Sequence, residues 1–540
     1  MKIIVADKIS PHGVQLLMDS GWQVSQPAAA ALAAELADAD ALIVRSATRV
    51  TEELLARAPK LRIVGRAGVG VDNIDLDAAT RRGILVVNTP GSSATSVAEH
   101  ALALMFALAR SVPQLNAAMH AGRWEKAGSA GAELRGKTLG LVGLGRIGGE
   151  VARRAKALEM RVLAHDPYLT AERAAEWGVQ LLPLAEMLAQ ADYVSLHTAL
   201  SPATDGLMNQ QTLAQMKCGA RLINTARGEL VDETALLEAL RSGHLAGAGL
   251  DVFAVEPPAN SPLMALPNVI ATPHVAGSTA EAQEEVGVQI AQQIRDYLAE
   301  GVLRNAVNLP AISPEHYRRL RPYLELAERL ACFVAQASTF AVGRLRLACT
   351  GEPAELGTHL LRSAALAGAL NAVLDEHVNL VSAPARASER GLIIEEITRP
   401  RQRGIADLVE ITAMPAGGSQ VTKFSARGTV LYGNIPRILE LNGIAVESSL
   451  EGTLLLLSNR DVPGVIGEIG SLLGRAGLNI ATFALGRREA VLGAEALALI
   501  GLDGEVSPAV LDRLQALPNV TQARVVRLPA LVLAPEAVMK

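Results

Sequence analysis

Short apolar runs rich in β-branched residues alternate with Ala- and Leu-rich stretches over about the first 300 residues. In most of these runs consecutive residues are apolar, so both faces of the strand would be apolar. This is typical of strands buried on both faces of a parallel sheet. Helical stretches separate the runs, so the pattern predicts an α/β fold with βαβ crossovers. The predicted strands are Lys2–Ala6, Ala41–Arg45, Leu61–Gly65, Ile84–Asn88, Thr138–Gly143, Arg161–His165, Tyr193–His197 and Arg221–Thr225.

A glycine-rich turn in the middle of this region marks a second α/β unit. We expect a doubly wound, Rossmann-like domain over residues 98–285. Residues 1–97 form the earlier unit. The long helical stretch Ala280–Glu300 and the strand-like segment after it can return to that unit, so residues 286–309 are assigned to it. The prediction is two doubly wound domains with a cleft between them.

The pattern changes in the last 230 or so residues. Residues 315–345 predict a helix and then a strand, and further strands are expected at Leu392–Ile397 and Ala406–Ile411. From Gly452 the order strand, helix, strand, strand, helix, strand predicts a ferredoxin-like α+β sandwich. The two predicted domains are residues 310–451, an intervening α+β domain, and residues 452–540.

Composition narrows the class of protein. At roughly 100–200 residues per domain, 540 residues correspond to about three to four domains. No apolar stretch approaches the ~20 residues that span a bilayer, and Ala101–Ala109 comes nearest. The net charge of −5 is dispersed and the N-terminus lacks a signal-peptide core, so we expect a soluble cytoplasmic protein without nucleic-acid or membrane partners. Cys218, Cys332 and Cys349 have no metal-ligand or disulfide spacing, so no metal is expected.

The predicted strand that ends at Val142 runs into a G-x-G-x-x-G turn with a helix after it. Gly143 permits the tight turn, Gly145 lets the backbone approach a pyrophosphate, and Gly148 lets the helix pack close to the strand. Asp166 ends the next strand, where a carboxylate binds ribose hydroxyls and repels a 2′-phosphate, and no arginine adjoins it. NAD is therefore expected rather than NADP. The alternative is a glycine-rich turn followed by an ordinary loop aspartate.

Three later segments each place a reactive side chain after a predicted strand: Arg227, Glu256 and His274. In an open parallel sheet ligands bind beyond the carboxyl ends of the strands, so the three can meet in one crevice. Arg227 can bind a carboxylate bidentately, His274 can exchange the proton of a hydroxyl, and Glu256 can orient the imidazole and favour its protonated form. Taken singly, each residue has a structural explanation. Arg227 could form a surface ion pair, Glu256 could be a charge at a helix end, and His274 could be a structural hydrogen-bond donor. Together, after a dinucleotide turn, they favour a catalytic site.

These residues stand in the motifs LGRIG, NTARGELVDE, GLDVFAVEPP and TPHVAGST. The set resembles the D-isomer-specific 2-hydroxyacid dehydrogenases, with a close match from about residue 1 to 309. The resemblance implies that Arg227 orients the substrate, that Glu256 pairs with the histidine and that His274 is the acid/base. It also implies contacts to NAD from Arg146, Ile147, Asp166, Thr198, Thr225, Ala226, Asp251 (to the nicotinamide amide), Val275, Ala276 and Gly277.

The sequence departs from that family's pattern at two places. Family members usually carry H-x-G-A-S-T, whereas Ala276 and Gly277 stand here in the opposite order, which is expected to alter a backbone contact to cofactor or substrate. The family often has an asparagine where Ser93 stands. Neither departure removes a catalytic side chain.

Two earlier segments end in cations that face the expected cleft. Arg45 and Arg66 each follow a predicted strand, and Arg49 lies close to Arg45. From spacing alone, two explanations are equally good: arginines that bind an anionic substrate, or surface arginines beside a glycine-rich turn. The segments resemble the phosphoglycerate-oxidising branch of the family. That resemblance implies that Arg45 and Arg66 bind the carboxylate and phosphate of 3-phosphoglycerate, with Arg49 as a helper.

Gly122–Glu125 resembles an arm that crosses to a neighbouring subunit in that branch. The resemblance implies a homodimer through about residues 98–130, alone or paired into a homotetramer. The alternative is that Trp124 packs locally.

The last predicted domain resembles an ACT domain, a small module that senses amino acids. The resemblance implies effector contacts at Asn459, Asp461 and Asn479, with L-serine as a feedback effector. The alternative is that these residues only cap helices and form turns. Residues 310–451, with Gly428–Asn434, resemble the intervening domain of the long members of the branch.

The resemblance implies NAD-dependent oxidation of 3-phospho-D-glycerate to 3-phosphohydroxypyruvate, the first step of L-serine biosynthesis, and this is the expected function. One alternative is another D-2-hydroxyacid dehydrogenase, for instance a hydroxypyruvate or 2-oxoglutarate reductase, which the Arg45 and Arg66 pair and the long C-terminal half disfavour. The other is a non-catalytic dinucleotide-binding sensor or corepressor, which the intact set Arg227, Glu256 and His274 disfavours.

Overall fold

The computed structural model describes residues 1–126, 130–401, 407–417 and 422–530. Its first unit is a parallel five-stranded sheet in the order β2-β1-β3-β4-β5. All residues of β3 are buried, as expected for a strand covered by helices on both faces. The elements are β1 (Lys2–Val5), α1 (Pro11–Asp19), β2 (Gln23–Ser25), α2 (Leu32–Glu35), β3 (Ala41–Val44), α3 (Glu52–Ala56), β4 (Ile63–Arg66), α4 (Leu76–Arg81) and β5 (Leu85–Val87).

The second unit is a parallel seven-stranded sheet in the order β12-β11-β10-β9-β6-β7-β8. The strand order reverses between β6 and β9, and in open α/β sheets such a switch point opens the ligand-binding crevice. The elements are α5 (Ala94–Arg110), α6 (Val112–His120), β6 (Thr138–Val142), α7 (Arg146–Ala157), β7 (Arg161–His165), α8 (Ala171–Glu176), β8 (Gln180–Leu181), α9 (Leu184–Gln190), β9 (Tyr193–Leu196), α10 (Gln210–Gln215), β10 (Ala220–Asn224), α11 (Glu233–Arg241), β11 (Leu245–Leu250) and β12 (Val269–Ala271).

The chain then returns to the first sheet through α12 (Ala280–Glu300). Its N-terminus is capped by the Thr279 hydroxyl, which accepts from the N–H of Ala282, and it ends at Gly301 in the left-handed conformation. A Cβ added at Gly13 of α1 would collide with the backbone of Gly287, so the two helices touch through glycines. The double crossing joins the sheets at two points and leaves a cleft between them.

A six-stranded mixed sheet in the order β14-β13-β15-β16-β17-β18 follows, covered on its apolar face by helices. Two of its strands were expected slightly earlier along the chain, at Leu392–Ile397 and Ala406–Ile411. Ala406 itself lies outside the described residues. The elements are α13 (Pro314–Ala337), β13 (Val342–Thr350), α14 (Glu352–Glu355), α15 (His359–Asn371), α16 (Ala383–Glu389), β14 (Ile393–Arg399), β15 (Leu408–Pro415), β16 (Phe424–Leu431), β17 (Ile435–Leu441) and β18 (Ile444–Ser449).

The last unit is a four-stranded antiparallel sheet in the order β20-β21-β19-β22 with two helices, the βαββαβ arrangement that the sequence predicts. The predicted fold class is thus confirmed. Its elements are β19 (Gly452–Arg460), α17 (Val465–Arg475), β20 (Asn479–Arg487), β21 (Glu495–Asp503), α18 (Pro508–Gln515) and β22 (Val520–Leu528). Among the described helices, none has the length and apolarity that crossing a membrane requires.

Hydrophobic cores divide the molecule differently from the sheets. One continuous core runs through the five-stranded, six-stranded and four-stranded units. It includes Ile3, Ile294, Leu330, Ile411, Leu456 and Leu499. The seven-stranded unit is packed by two clusters of its own residues. The cleft therefore lies between this unit and a body made of the other three.

Candidate active site

The glycine-rich turn after β6 is shaped by close contacts at two of its glycines. Gly143 has φ +92°, and a Cβ added there would lie 2.8 Å from the carbonyl oxygen of His197. A Cβ at Gly148 would collide with the carbonyl of Gly143. Gly145, which precedes α7, faces open space. Two glycines thus let the turn pack, while the third leaves the N-terminus of α7 open to a phosphate.

Asp166 supports this turn from the end of β7. Its Oδ2 accepts from the N–H of Leu144 at 2.9 Å, and its Oδ1 accepts from the N–H of Tyr168 at 2.9 Å. Arg146 and Ile147 open α7, and Arg146 is exposed. The expected ribose ligand and pyrophosphate contacts therefore share one rim of the cleft.

The loop after β10 carries Asn224 to Arg227. Buried Asn224 braces it, because its Nδ2 donates to the Arg227 carbonyl at 2.8 Å and its Oδ1 accepts from the N–H of Ala226 at 3.0 Å. Thr225 is buried, and its Oγ1 has no hydrogen-bond partner among the described residues. A buried, unsatisfied hydroxyl at the carboxyl end of β10 fits a group that binds a polar cofactor.

Arg227 reaches across the cleft to the first unit. Its Nη2 and Nε donate to Oδ2 of Asp72 at 3.0 and 3.2 Å, and its Nη1 donates to the Ala226 carbonyl at 2.7 Å. A Cβ added at Gly70 would collide with Nη2 of Arg227, so the guanidinium lies directly on this backbone. Asp72 is exposed, and an incoming carboxylate can take its place on Arg227.

Arg66 extends the positive charge beside Arg227. Burial lowers the pKa of Arg66 to about 10, and the charges of Arg227 and Arg45 contribute to the lowering. Its Nε is buried without a partner among the described residues, and its guanidinium occupies the space that a Cβ at Gly68 would need. Three mutually repelling cations form a site for an anion with more than one charge. Arg49 is exposed and is not among the charges that perturb Arg66.

His274 and Glu256 form a pair on the loops after β12 and β11. His274 Nδ1 lies 2.8 Å from Glu256 Oε2, and Glu256 Oε1 accepts from the N–H of Phe253 at 3.1 Å. The imidazole side chain is 53% exposed. Because Glu256 engages Nδ1, the ring keeps Nε2 for a substrate.

The fully buried side chain of Asp251 anchors the loop that carries His274 through hydrogen bonds. Burial alone would raise the pKa of Asp251, but hydrogen bonds from His100, Thr272 and two backbone N–H groups lower it below its usual value. Its Oδ1 accepts from Thr272 Oγ1 at 2.5 Å and its Oδ2 accepts from the N–H of Ala276 at 2.8 Å. Asp251 acts here as an anchor, and its expected contact to nicotinamide stays a prediction.

The two departures from the family pattern lie against each other. A Cβ added at Gly277 would stand 3.5 Å from the Cβ of Ser93, at ordinary contact distance. Because Gly277 and Ser93 are both small, the space between them beside the loop of His274 can take a methyl group without a collision. The N–H of Val275 donates to Asp251 Oδ1 at 2.9 Å, so this loop keeps its backbone anchors despite the altered order.

Sequence reasoning missed the residues that position the predicted ones. Asp72 was not predicted, and it is 155 residues from Arg227 along the chain. His100 contacts Thr272 at 2.9 Å from the middle of an apolar helix. His197 ends the VSLH run and bonds to Ser195 Oγ through Nε2 at 2.8 Å. A polar residue directly after a buried strand was the signal available for His197. Thr198, which the family resemblance implied, lies beside Gly143.

The three expected effector residues do not meet within one chain. Asn459 pairs with Ala496 at one end of β21, whereas Asn479 pairs with Asp503 at its other end. Seven residues of extended chain separate those ends by about 23 Å. Asn459 is buried with Oδ1 unsatisfied among the described residues, and Asp461 pairs with Arg487 at 3.2 Å. A site that uses both ends would need a second copy of the domain.

Comparisons with known proteins define the class first. Residues 102–276 match the model of the NAD binding domain of D-isomer specific 2-hydroxyacid dehydrogenases. Residues 319–442 match the D-3-phosphoglycerate dehydrogenase intervening domain, and residues 453–519 match the ACT domain. Fold, site and these matches place the chain among the D-isomer-specific 2-hydroxyacid dehydrogenases.

Relatives of full length define the family more closely. D-3-phosphoglycerate dehydrogenase of Bacillus subtilis is 40% identical over 98% of this chain and 100% of its own length. The enzyme of the same name from Methanocaldococcus jannaschii is 41% identical over 98% and 100%, and that of Mycobacterium tuberculosis strain H37Rv is 42% identical over 97% and 99%. The chain belongs to the D-3-phosphoglycerate dehydrogenase family.

Solved structures match the first half. The TT0316 protein of Thermus thermophilus has a TM-score of 0.53 and 40% identity, covering 57% of this chain and 100% of its own. The apo D-lactate dehydrogenase of Escherichia coli has a TM-score of 0.51 and 29% identity, covering 57% of this chain and 100% of its own.

Proposed function

We propose that the chain oxidises 3-phospho-D-glycerate to 3-phosphohydroxypyruvate with NAD, the first step of L-serine biosynthesis. The family relationship over nearly the whole chain supports this activity. The single observation that carries the substrate is the cluster of Arg45, Arg66 and Arg227. A substrate with a carboxylate and a phosphate supplies the negative charge that this cluster lacks.

In the proposed mechanism the protein orients the substrate and handles its proton. Arg227 binds the carboxylate in place of Asp72, and Arg66 and Arg45 bind the phosphate. His274 takes the C2 hydroxyl proton on Nε2, while Glu256 holds the ring through Nδ1 and stabilises the imidazolium. NAD, when bound, supplies the acceptor for the hydride that leaves C2. In the reverse direction His274 returns the proton to the carbonyl oxygen.

The residues around the glycine-rich turn fit NAD. Gly145 leaves open space for a pyrophosphate, Asp166 at the end of β7 offers a carboxylate to ribose hydroxyls, and the Thr225 hydroxyl is unsatisfied among the described residues. A 2′-phosphate would meet the carboxylate of Asp166, so NAD is favoured over NADP.

Assembly and regulation complete the proposal. Exposed apolar side chains on α5, α6 and the segment after them support a homodimer, alone or paired into a tetramer, through about residues 98–130. They are Phe106, Val112, Met119 and Trp124. The ACT domain supports feedback by L-serine at a site that two copies share. Three free cysteines fit a cytoplasmic location, where thiols stay reduced.

A steady-state assay tests the activity. NADH oxidation is measured with phosphohydroxypyruvate, hydroxypyruvate and 2-oxoglutarate. We expect kcat/KM to be highest for the phosphorylated acid, and Arg66→Gln to remove that preference while leaving turnover of hydroxypyruvate measurable. Equal kcat/KM for all three acids would favour the general reductase, and no turnover of any would favour the sensor.

A further inference from the structure

A groove of about 620 Å³ follows the outer edge of β22, away from the catalytic cleft. Its walls come from β22 and α18 of the four-stranded domain and from Gln336 and Thr339 at the end of α13. It thus lies at the joint between the four-stranded and six-stranded units. Neither the catalytic residues nor the expected effector residues line it.

Two glutamine side chains form hydrogen bonds with backbone groups on the outer edge of β22, one on each side of Val525. The side chain of Gln336 bonds to both the N–H and the carbonyl of Arg527, at 2.9 Å each. Arg527 therefore turns its peptide groups away from β19, and with a period of two so do Val525 and Ala523. Gln515 Nε2 donates to the Ala523 carbonyl at 3.1 Å. Among the described residues this leaves the N–H and carbonyl of Val525 unpaired between the two amides.

The charge of the groove is one-sided. Arg524 and Arg527 both line it, one on each face of the strand, and no lining residue is acidic. Neither arginine has an ion-pair partner in the part of the chain that the structure describes. Two cations and an outward N–H in a polar groove are the groups that bind a carboxylate or phosphate.

We propose that this groove binds one small anion that carries a carboxylate or phosphate. The anion accepts from the N–H of Val525 and pairs with Arg524 and Arg527. An added peptide strand is a poorer occupant, because strand addition uses successive outward groups and Gln515 and Gln336 already occupy those on either side of Val525.

Hydrogen exchange of the full chain tests the site without turnover. Peptides that cover β22 are followed with inorganic phosphate or malonate, against potassium chloride at equal ionic strength. We expect either anion to slow exchange at Val525 at least threefold in a saturable way. The double variant R524Q/R527Q should lose this protection. Arg513→Gln, an exposed α18 position outside the groove, should keep it.

The possible results distinguish a phosphate site from a carboxylate site, and both from the absence of an anion site. Protection by phosphate alone or malonate alone assigns the anion and supports the site. Equal protection in R524Q/R527Q and the unchanged chain, or none with either anion, overturns the proposal. Val525→Pro provides a second variant, because it removes the outward N–H and leaves both arginines in place. In that variant the readout is the anion dependence of the remaining amides in the β22 peptides, since proline has no amide hydrogen. Protection of those amides equal to that in the unchanged chain would also count against the proposed geometry.

Discussion

At the scale of single residues, the site depends on cations that the fold keeps close together. Arg66 and Arg227 each rest on the backbone of a glycine, Gly68 and Gly70, where a Cβ would collide with the guanidinium. The unliganded cluster has only Asp72 as a carboxylate partner for Arg227 among the described residues, and burial lowers the pKa of Arg66 to about 10. Arg66 stays protonated at neutral pH, so binding a dianion relieves repulsion that already exists.

Replacement of His274 tests the acid/base assignment. With His274→Ala we expect kcat to fall by about 10²–10⁴, the usual contribution of a positioned proton carrier. NADH affinity, measured by fluorescence titration, should change little, because the side chain is exposed in the cleft and does not anchor the loop. Glu256→Gln should cause a smaller loss and shift the pH profile of kcat. A fall of less than tenfold in His274→Ala would remove it from this role.

His197 makes a second prediction at this scale, about stability and pH. Burial lowers its pKa to about 4 from its ordinary 6.5. The folded chain therefore holds a neutral ring while the unfolded chain takes up a proton, so stability present above pH 6.5 is lost as pH falls toward 4. This single group accounts for about 3 kcal/mol between those limits.

The measurement compares urea unfolding of the unchanged chain and His197→Gln at pH 8 and pH 5. Their difference at pH 8 gives the cost of lost packing and of the bond to Ser195. We expect that difference to shrink by about 1–2 kcal/mol at pH 5, since the variant has no ring to protonate. An identical difference at both pH values would show that His197 does not carry the effect.

Sequence patterns predicted a site formed by Arg227, Glu256 and His274 but not the pairing of Arg227 with Asp72. Arg227, Glu256 and His274 each follow a buried strand, and a strand end in a parallel sheet is visible as a local change from apolar to polar. Asp72 meets Arg227 only because the two units face each other, and no local pattern encodes a contact over 155 residues. The same limit applies to the separation of Asn459 and Asn479, which depends on the strand order of the sheet.

At the scale of elements, the catalytic loops are locked to one another by backbone contacts. A Cβ at Gly228, after β10, would collide with the backbone of Phe253, after β11. Two backbone N–H groups of the loop after β12 donate to the side chain of Asp251, which follows β11. These contacts join three strand ends of one sheet, so Arg227, Glu256 and His274 are positioned by loops that contact one another. The element types followed from periodicity, whereas this locking depends on contacts between loops.

Two glycines of the turn after β6 make a matched pair of variants. Gly145→Ala places its methyl group in open space, so we expect an unchanged Tm but at least tenfold weaker NADH binding, because the methyl group blocks the pyrophosphate approach. Gly148→Ala should lower Tm as well, because its methyl group collides with the Gly143 carbonyl. Titration and thermal melting on both variants check this. Full NADH affinity in Gly145→Ala would contradict the proposed cofactor position.

At the scale of the whole molecule, the ACT domain is tied to the body that includes the first sheet rather than to the seven-stranded unit. The shared core runs from the first sheet through α13 into β19 and β21. Asn379 adds a polar tie, since its Nδ2 donates to the Gly83 carbonyl at 2.7 Å. The proposed binding of serine would therefore be communicated to the substrate-binding side of the cleft through this shared core. Length predicted about three to four domains, but it carries no information on which units share a core.

Arg329 of α13 is a second side chain, besides Gln336, that links α13 to the ACT domain or to the segments flanking it. It is buried, and its guanidinium donates to the carbonyls of Leu450, Pro529 and Ala530, which flank the ACT domain on both sides. With Arg329→Met we expect the loss of about 3 kcal/mol of stability, because three carbonyls lose their donor. Hydrogen exchange across the ACT domain should become faster and the serine response should fall, while NADH oxidation with saturating phosphohydroxypyruvate persists. Arg475→Met, at an exposed position on α17, is the matched control. A serine response equal to that of the control, despite faster exchange, would show that the signal does not travel through this joint.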